Sequence, residues 1–118
     1  KNFLYSKINF IYMSSSRGHS GDKGISIYST TKQGLAAFAK NMSIEYGSFG
    51  FNFRVILLGL LNGGLKNKID NEKIIKKIIS RSSIERYIKI QEILKAIKYI
   101  QNDSSGNGSI IKCDNGYN

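Results

Sequence analysis

The spacing of apolar positions changes along the chain, and the changes divide it into strands and helices. Residues 8–14, INFIYMS, form a short continuous apolar run that ends in serines, and such a run predicts a buried strand. Residues 51–58, FNFRVILL, are rich in β-branched and aromatic side chains and predict a second buried strand. A last short strand is predicted at SIIKC, residues 109–113, after the turn sequence NDSSGNG.

Between the first two strands the period becomes helical. From Ser26 the apolar side chains recur on one face of a helix, which Gly47 and Gly50 end. The members of this face are Leu35, Phe38, Ala39, Met42 and Tyr46. The preceding segment, SSRGHSGDKGIS, is rich in glycine and serine and predicts a loop. After the second strand we predict a basic helix over about residues 70–80 and an amphipathic helix over about residues 86–101.

The resulting order is strand, helix, strand, two helices, strand. Strands that alternate with helices favour right-handed crossover connections and a parallel sheet. The length of 118 residues suits a single domain. The pattern therefore predicts one α/β domain.

The charge of the chain is strongly basic, with 18 Lys and Arg against 8 Asp and Glu and a formal net charge of +10. A polyanion partner such as a nucleic acid is one interpretation of this charge. However, the lysines are spread through the second half of the chain and alternate with isoleucines, and no nucleic-acid-binding signature is visible. We therefore favour a solvated basic face over a nucleic-acid site.

Cysteine and histidine are too few for several kinds of site. Cys113 is the single cysteine and His19 the single histidine, which excludes an internal disulfide and argues against a metal site. No apolar run reaches the ~18–20 residues of a membrane span. The N-terminal residues do not resemble a signal peptide, because polar residues interrupt their apolar stretch. We expect a cytoplasmic protein without a membrane partner.

Tyr28 and Lys32 carry the clearest candidate chemistry. They lie four residues apart at the start of the predicted helix, where side chains at i and i+4 share one face. A neighbouring ammonium favours the phenolate form of a tyrosine and suits it for acid–base work. The pair alone favours two unrelated positions on an amphipathic helix, because Tyr-x-x-x-Lys occurs often by chance. Ser15 favours the catalytic interpretation, because it ends the first strand at the edge where open parallel sheets place their sites.

Taken together, these segments resemble the short-chain dehydrogenase/reductase family over nearly the whole chain. FIYMSSSRGHSG is similar to the family's fifth strand with its Ser-Ser-x-x-Gly ending, and YSTTKQGLAAFAKNMSIEYGSFG to its Tyr-x-x-x-Lys helix. NFRVILLGLL resembles the sixth strand, although Leu58 stands where a proline is expected and Arg54 where an asparagine is usual. QEILKAIKYIQNDSSGNGSIIKCDNGY resembles the family's C-terminal end. The resemblance implies the last three strands, with flanking helices, of a Rossmann-like, doubly wound parallel sheet.

The chemistry that the resemblance implies is an NAD- or NADP-dependent interconversion of an alcohol and a carbonyl. Tyr28 would exchange the proton with the substrate oxygen, and Ser15 would orient that oxygen. Lys32 would favour the phenolate and hold the nicotinamide ribose. The backbone around Gly59 and Leu61 would face the carboxamide of the nicotinamide. The resemblance thus implies that Ser15, Tyr28 and Lys32 are catalytic. Tyr28 and Lys32 would also contact the cofactor, as would the backbone at Gly59 and Leu61.

The first half of the family pattern is not found in the sequence. The glycine-rich turn that cradles a dinucleotide pyrophosphate has no counterpart among the 118 residues. We therefore expect residues 1–118 to be a partial domain, a truncated chain that binds NAD or NADP weakly or not at all and is inactive alone. The alternative is a non-catalytic remnant that acts as an oligomerisation or interaction module.

The expected partners follow from the same resemblance. A small-molecule alcohol or carbonyl compound is the expected substrate. His19 either contacts this substrate or is a solvated loop residue, and we favour the second interpretation. The first strand would form an open sheet edge. The apolar face of the Tyr28 helix normally helps to build the family's dimer, so we expect a homo-oligomer or docking on a full-length paralogue.

Overall fold

The elements of the chain alternate between strands and helices, as predicted. A computed structural model describes residues 8–62 and 72–118. In chain order the elements are β1 (Ile8–Ser15), α1 (Ser16–Ser20), α2 (Ser26–Tyr46), a 3₁₀ turn (Gly47–Phe49), β2 (Phe51–Leu58), α3 (Glu72–Ser80), α4 (Ile90–Asn102) and β3 (Ile110–Cys113).

The three strands form one parallel sheet in the order β1-β2-β3. Their last residues, Ser15, Leu58 and Cys113, lie side by side in the register. The carboxyl ends of the strands therefore meet at one edge of the sheet. This arrangement confirms the predicted α/β fold with three parallel strands and flanking helices.

Burial differs between the first two strands. Residues 52–57 of β2, the central strand, are all buried. β1 has one neighbour among the strands that the structure describes, and Ile8, Phe10 and Met13 are each 38–42% exposed. The prediction of a buried first strand was wrong. β1 lies at the edge of the described sheet, where fewer neighbouring residues cover its side chains. The prediction of an open edge is confirmed for the described residues.

The main core lies between β2 and α2. Phe53, Val55 and Leu57 alternate along β2 and form one buried cluster with Ala39 of α2. The period of two along the strand and of 3.6 along the helix brings these side chains to the same interface. The opposite face of β2 meets α4, where the Asn52 amide donates a hydrogen bond to the Ile100 carbonyl at 3.5 Å.

The segment predicted to be a loop after β1 contains the short helix α1. Ser15 is extended and caps this helix, since its Oγ accepts a hydrogen bond from the Gly18 backbone N–H. Serine is one of the residues preferred at the N-cap of a helix. The cap accounts for a helix of five residues in this segment. The loop prediction holds for the residues between α1 and α2.

The beginning of α4 also differs from its predicted position. The helix starts at Ile90 rather than near residue 86. Lys89 is extended, and the Glu92 carboxylate accepts a hydrogen bond from its backbone N–H at 2.9 Å, which is the half of a capping box that marks a helix start. The predicted end of α3 is confirmed at Ser80, and its predicted first residues, 70 and 71, lie outside the described residues.

Candidate active site

The candidate site lies at the carboxyl edge of the sheet, where α1 and α2 begin. Ser15 is both the last residue of β1 and the cap of α1, and its Oγ lies 3.4 Å from the Gly18 nitrogen. The described residues offer no acceptor to the hydroxyl proton of Ser15. That proton is therefore available to a ligand at the sheet edge.

Tyr28 and Lys32 lie one turn apart near the start of α2. The Lys32 ammonium is 5.9 Å from the centre of the Tyr28 ring and donates a hydrogen bond to the Met13 carbonyl of β1 at 3.2 Å. Tyr28 is 39% exposed. Its hydroxyl has no hydrogen-bond partner within residues 8–62 and 72–118, so it is accessible to a ligand. The cation is thus anchored on the strand beside the ring of the tyrosine.

Three polar side chains fix the backbone of α2 against β1 and α1. The Ser14 hydroxyl donates to the Lys32 carbonyl at 2.8 Å, and His19 Nε2 lies 3.4 Å from the same oxygen and 3.3 Å from Ser14 Oγ. The Gln33 amide donates to the Gly18 carbonyl at 3.1 Å. His19 is placed in this packing and does not line the cavity described below.

Gly59 and Leu61 follow β2 at the same edge of the sheet. The Gly59 N–H donates to the Cys113 carbonyl at 3.0 Å, and a Cβ atom at this position would lie 2.9 Å from Asp114 Cα. Glycine therefore allows the segment to run close to the end of β3. The peptide N–H and C=O of Leu61 have no hydrogen-bond partner among the described residues. These two groups are available to a ligand.

One cavity of about 400 Å³ brings the sequence-predicted residues together. Ser15, Tyr28, Lys32, Gly59 and Leu61 all line it. Its volume falls within the ~300–1,000 Å³ that is typical of small-molecule sites. The structure thus places all five residues around one space, although they come from three separate parts of the chain.

The cavity has further lining residues that sequence reasoning missed. They include Arg17, Ile25, Ile78 and Tyr117. Arg17 was detectable in principle, because it lies two residues after the serine at the end of β1. Tyr117 and Ile78 reach the cavity from the C-terminus and from α3, and no local pattern reports such distant contacts.

A buried hydrogen bond joins the two ends of the site. The Ser16 hydroxyl donates to the Asp114 carboxylate, and both residues are about 5% exposed. Asp114 also accepts a hydrogen bond from the Gly116 N–H at 3.1 Å. The pair connects α1 to the residues after β3 and so holds Tyr117 near the edge of β1.

The ionic groups around the cavity have defined partners. Arg17 donates from Nη2 and Nε to one oxygen of Asp22, at 3.1 and 3.3 Å. This hydrogen-bonded guanidinium holds the pKa of the Asp22 carboxyl below its ordinary value, with the Lys23 N–H as the next cause. Burial raises the pKa of the Cys113 thiol, which keeps this neighbouring sulfur protonated at neutral pH.

Two further kinds of site were searched for in residues 8–62 and 72–118. No group of three His, Cys, Asp or Glu side chains in this part of the chain could hold a metal ion. None of its helices is long and apolar enough to cross a membrane.

The sequence of the chain matches a protein-family model over residues 3–118. This model is described as enoyl-(acyl carrier protein) reductase. The chain belongs to the short-chain dehydrogenase/reductase family.

Curated relatives of this short-chain dehydrogenase/reductase are oxidoreductases and reductases. An uncharacterized oxidoreductase of Thermotoga maritima is 28% identical over 113 residues, which cover 90% of this chain and 45% of the relative. A tropinone reductase homologue of Arabidopsis thaliana is 27% identical and covers 78% and 35%. The 3-oxoacyl-[acyl-carrier-protein] reductase of Buchnera aphidicola is 26% identical and covers 70% and 33%. The chain thus spans less than half the length of these relatives.

Solved structures of the same family share the fold. Sorbitol-6-phosphate 2-dehydrogenase from Erwinia amylovora superposes with a TM-score of 0.77 at 20% identity, over 92% of this chain and 47% of that one. A variant of actinorhodin polyketide ketoreductase, solved with NADPH, also gives 0.77 at 18% identity, over 92% and 46%. These likenesses show the fold of this short-chain dehydrogenase/reductase and confirm the predicted Rossmann-like half.

Proposed function

We propose that the chain carries the proton-transfer part of an NAD- or NADP-dependent oxidoreductase site that interconverts an alcohol and a carbonyl. The observation that carries the proposal is the single cavity lined by Ser15, Tyr28 and Lys32 at the carboxyl edge of a parallel sheet. Membership of the short-chain dehydrogenase/reductase family supports the reaction class.

Each side chain has a role that its placement allows. The Tyr28 hydroxyl, which has no partner among the described residues, donates its proton to the carbonyl oxygen of a substrate and takes it back in the reverse direction. The Ser15 hydroxyl donates a hydrogen bond to the same oxygen and orients it. The Lys32 ammonium, anchored on the Met13 carbonyl, lies beside the Tyr28 ring and places positive charge where negative charge develops as the proton is transferred.

The residues present fit the nicotinamide end of a cofactor. Lys32 offers an ammonium at the cavity wall, and the Leu61 peptide offers an N–H and a C=O without other partners among the described residues. Lys32 would hold the ribose and the backbone from Gly59 to Leu61 would hold the carboxamide. A bound nicotinamide supplies or accepts the hydride. Since the 118 residues contain no glycine-rich pyrophosphate turn, we expect affinity weaker than micromolar for this chain alone.

The experiment is a reductase assay at millimolar NADH or NADPH with a panel of small ketones and aldehydes. Tyr28→Phe is expected to lower the rate at least about 100-fold, because it removes the proton donor. Tyr46→Phe is the matched control, since this residue lies at the other end of α2, outside the cavity. Equal and measurable rates for Tyr28→Phe and the unaltered chain would overturn the proposed role of Tyr28, whereas no rate in either would match the expectation that the chain is inactive alone.

A second candidate function, association through α2, is favoured by the apolar side chains that this helix leaves in solvent. Ile27 is 84% and Ile44 72% exposed. Exposed apolar surface of this kind marks interaction sites. We propose that α2 docks on a second copy of the chain or on a longer relative.

Sedimentation tests this candidate. Ile44→Glu is expected to shift the chain from dimer to monomer, because a carboxylate cannot be buried at an apolar interface without cost. Ile90→Glu is the control, since Ile90 is a 61% exposed isoleucine at the start of α4. A monomer at all concentrations before any substitution would contradict docking on a second copy of the chain.

A further inference from the structure

Arg17 is a charged cavity residue to which the proposed reaction gives no role. It lies in α1, two residues beyond Ser15, and lines the same cavity as Tyr28 and Lys32. Its side chain is 26% exposed. Its guanidinium pairs with Asp22, so the question is whether it has donors left for a ligand.

The hydrogen bonds of Arg17 leave part of the guanidinium available. Nε and Nη2 both donate to Oδ2 of Asp22, while Nη1 has no partner within residues 8–62 and 72–118. Oδ1 of Asp22 accepts from the Lys23 N–H at 2.9 Å. Asp22 therefore fixes the orientation of Arg17 by one edge and leaves the other edge for a ligand.

The charge balance at this end of the cavity is positive. Arg17 contacts Asp22, and Lys77 of α3 adds a weaker electrostatic effect on the same carboxylate. Among the described residues no Asp or Glu lines the cavity, whereas Arg17 and Lys32 do. The Lys32 ammonium donates one of its three hydrogen bonds to the Met13 carbonyl, and the proposed function assigns it to the ribose of the cofactor. Arg17 is therefore the lining cation best placed to meet an anionic group.

The rest of the cavity wall is largely apolar. Met13, Ile25, Leu58, Leu60, Ile78 and Tyr117 contribute to it. Because such walls exclude water, a hydrogen bond between a guanidinium and an anion is stronger here than at an open surface. We propose that Arg17 determines specificity for a carbonyl or alcohol substrate with an apolar body and an anionic group, a carboxylate or a phosphate. This inference rests on the proposed function, because it places the reacting carbon of the substrate at Tyr28.

A phosphate of the cofactor is the other source of an anion. Arg17 lies in α1, the helix that Ser15 caps. It is therefore close to the residues that would contact the substrate oxygen and the ribose of the cofactor. We assign the anion to the substrate because Arg17 and Tyr28 line one cavity together with apolar side chains, which suit the apolar body of a substrate. The experiment separates the two sources.

The test measures binding of matched ligand pairs to the 118-residue chain by ligand-observed NMR. The pairs are unbranched keto acids, from levulinate upward in chain length, each against its methyl ester, and dihydroxyacetone phosphate against dihydroxyacetone. We expect the anionic member of at least one pair to have a Kd at least about tenfold lower than its neutral partner. This ratio is the affinity that a charge-assisted hydrogen bond typically adds. Arg17→Gln should reduce this ratio to about one.

One further variant serves as a control and another as a second test. Lys23→Gln removes an exposed cation of the same loop that does not line the cavity, and it should leave the ratio unchanged. Asp22→Asn keeps the guanidinium and removes the carboxylate that neutralises it, so it should raise the ratio. If Arg17→Gln does not fold, Asp22→Asn and the salt dependence of the ratio in the unaltered chain provide the test. An unchanged ratio in that variant and at high salt overturns the inference.

The remaining outcomes separate this inference from the proposed function. Equal binding of both members, or no binding of either, overturns the role of Arg17. A loss of NADPH binding in Arg17→Gln without a change for the keto compounds also overturns it, since Arg17 would then serve the cofactor. An Arg17-dependent preference without any Tyr28-dependent reduction supports the anion site and overturns the reductase instead.

Discussion

Gly18 is the residue on which the position of the Tyr28–Lys32 pair depends most directly. A Cβ atom there would lie 2.9 Å from Lys32 Cβ and 3.4 Å from a ring carbon of Tyr28. The backbone of Gly18 is helical and buried. The glycine of the Ser-Ser-x-x-Gly pattern is therefore required by the close approach of α1 to α2.

Gly18→Ala is expected to destabilise the chain by about 1–3 kcal/mol, because the added methyl group overpacks the contact between the helices. It should also lower any activity that depends on Tyr28. Gly34→Ala is the matched control, since a Cβ atom at Gly34 meets no other atom within 4 Å and alanine favours a helix by up to ~1 kcal/mol. Urea denaturation of both variants checks the prediction, and equal midpoints would contradict it.

Individual site residues differ in how far the sequence could reveal them. Tyr28 and Lys32 are visible because four residues make one helical turn, so their shared face is a local property. Ser15 is visible because it ends an apolar run. Arg17 and Tyr117 reach the same cavity through the packing of α1 and of the C-terminus, and no periodic pattern encodes that packing.

At the scale of elements, the contact between β2 and α4 depends on a buried cation. Arg54 is 2% exposed in the centre of β2, and its Nη1 lies 3.6 Å from the Asp103 carboxylate after α4. Its guanidinium also lies 5.9 Å from the centre of the Tyr99 ring. A side chain at Gly106 would collide with this guanidinium. The turn after α4 is thus built around the head of Arg54.

Asp103→Ala is expected to lower stability, because it leaves the buried guanidinium without its carboxylate. Arg54→Met, which keeps most of the volume, should stay within about 1 kcal/mol of the unaltered chain. The double variant should therefore be more stable than Asp103→Ala alone. Glu45→Ala, an exposed carboxylate on α2, controls for the loss of charge. Additive effects of the two substitutions in urea denaturation would count against this account.

Most element types were predictable from the sequence, whereas the helix α1 and the start of α4 were not. The helical face around Ala39 and the strand at 51–58 show their periods in the sequence. The start of α4 depends on the Glu92 carboxylate, which pairs with Arg86 at 2.6 Å and caps Lys89. α1 depends on a serine cap and on packing against α2. Side-chain hydrogen bonds of this kind shift helix ends without changing the apolar pattern.

At the scale of the whole molecule, acid is expected to destabilise the fold. Hydrogen bonds from Arg86 and the Lys89 N–H lower the pKa of Glu92 to about 2, and hydrogen bonds from Ser105 lower the pKa of Asp103 to about 2. Both folded-state values lie below the ordinary values near 4. The unfolded chain therefore binds more protons between about pH 4.5 and pH 2, so stability is fully present above this window and falls through it.

Urea midpoints measured across this window at constant salt check the prediction. The midpoint should fall continuously as the pH falls, and the slope should be smaller in Glu92→Gln, which removes one of the two depressed carboxyls. The net charge of +10 adds repulsion in the same direction as the carboxylates become neutral. A midpoint that does not change between pH 4.5 and pH 2 would show that these carboxylates do not stabilise the fold.

The sequence by itself determined the alternation of strands and helices, the parallel sheet and the shared helical face of Tyr28 and Lys32. These properties arise from periods and spacings within a few residues. The tertiary structure decided which residues surround the cavity, how exposed β1 is, and which partner Arg54 has. The Ser16–Asp114 hydrogen bond spans 98 positions. Contacts over such distances depend on how the elements pack, and packing has no signature in the local order of residues.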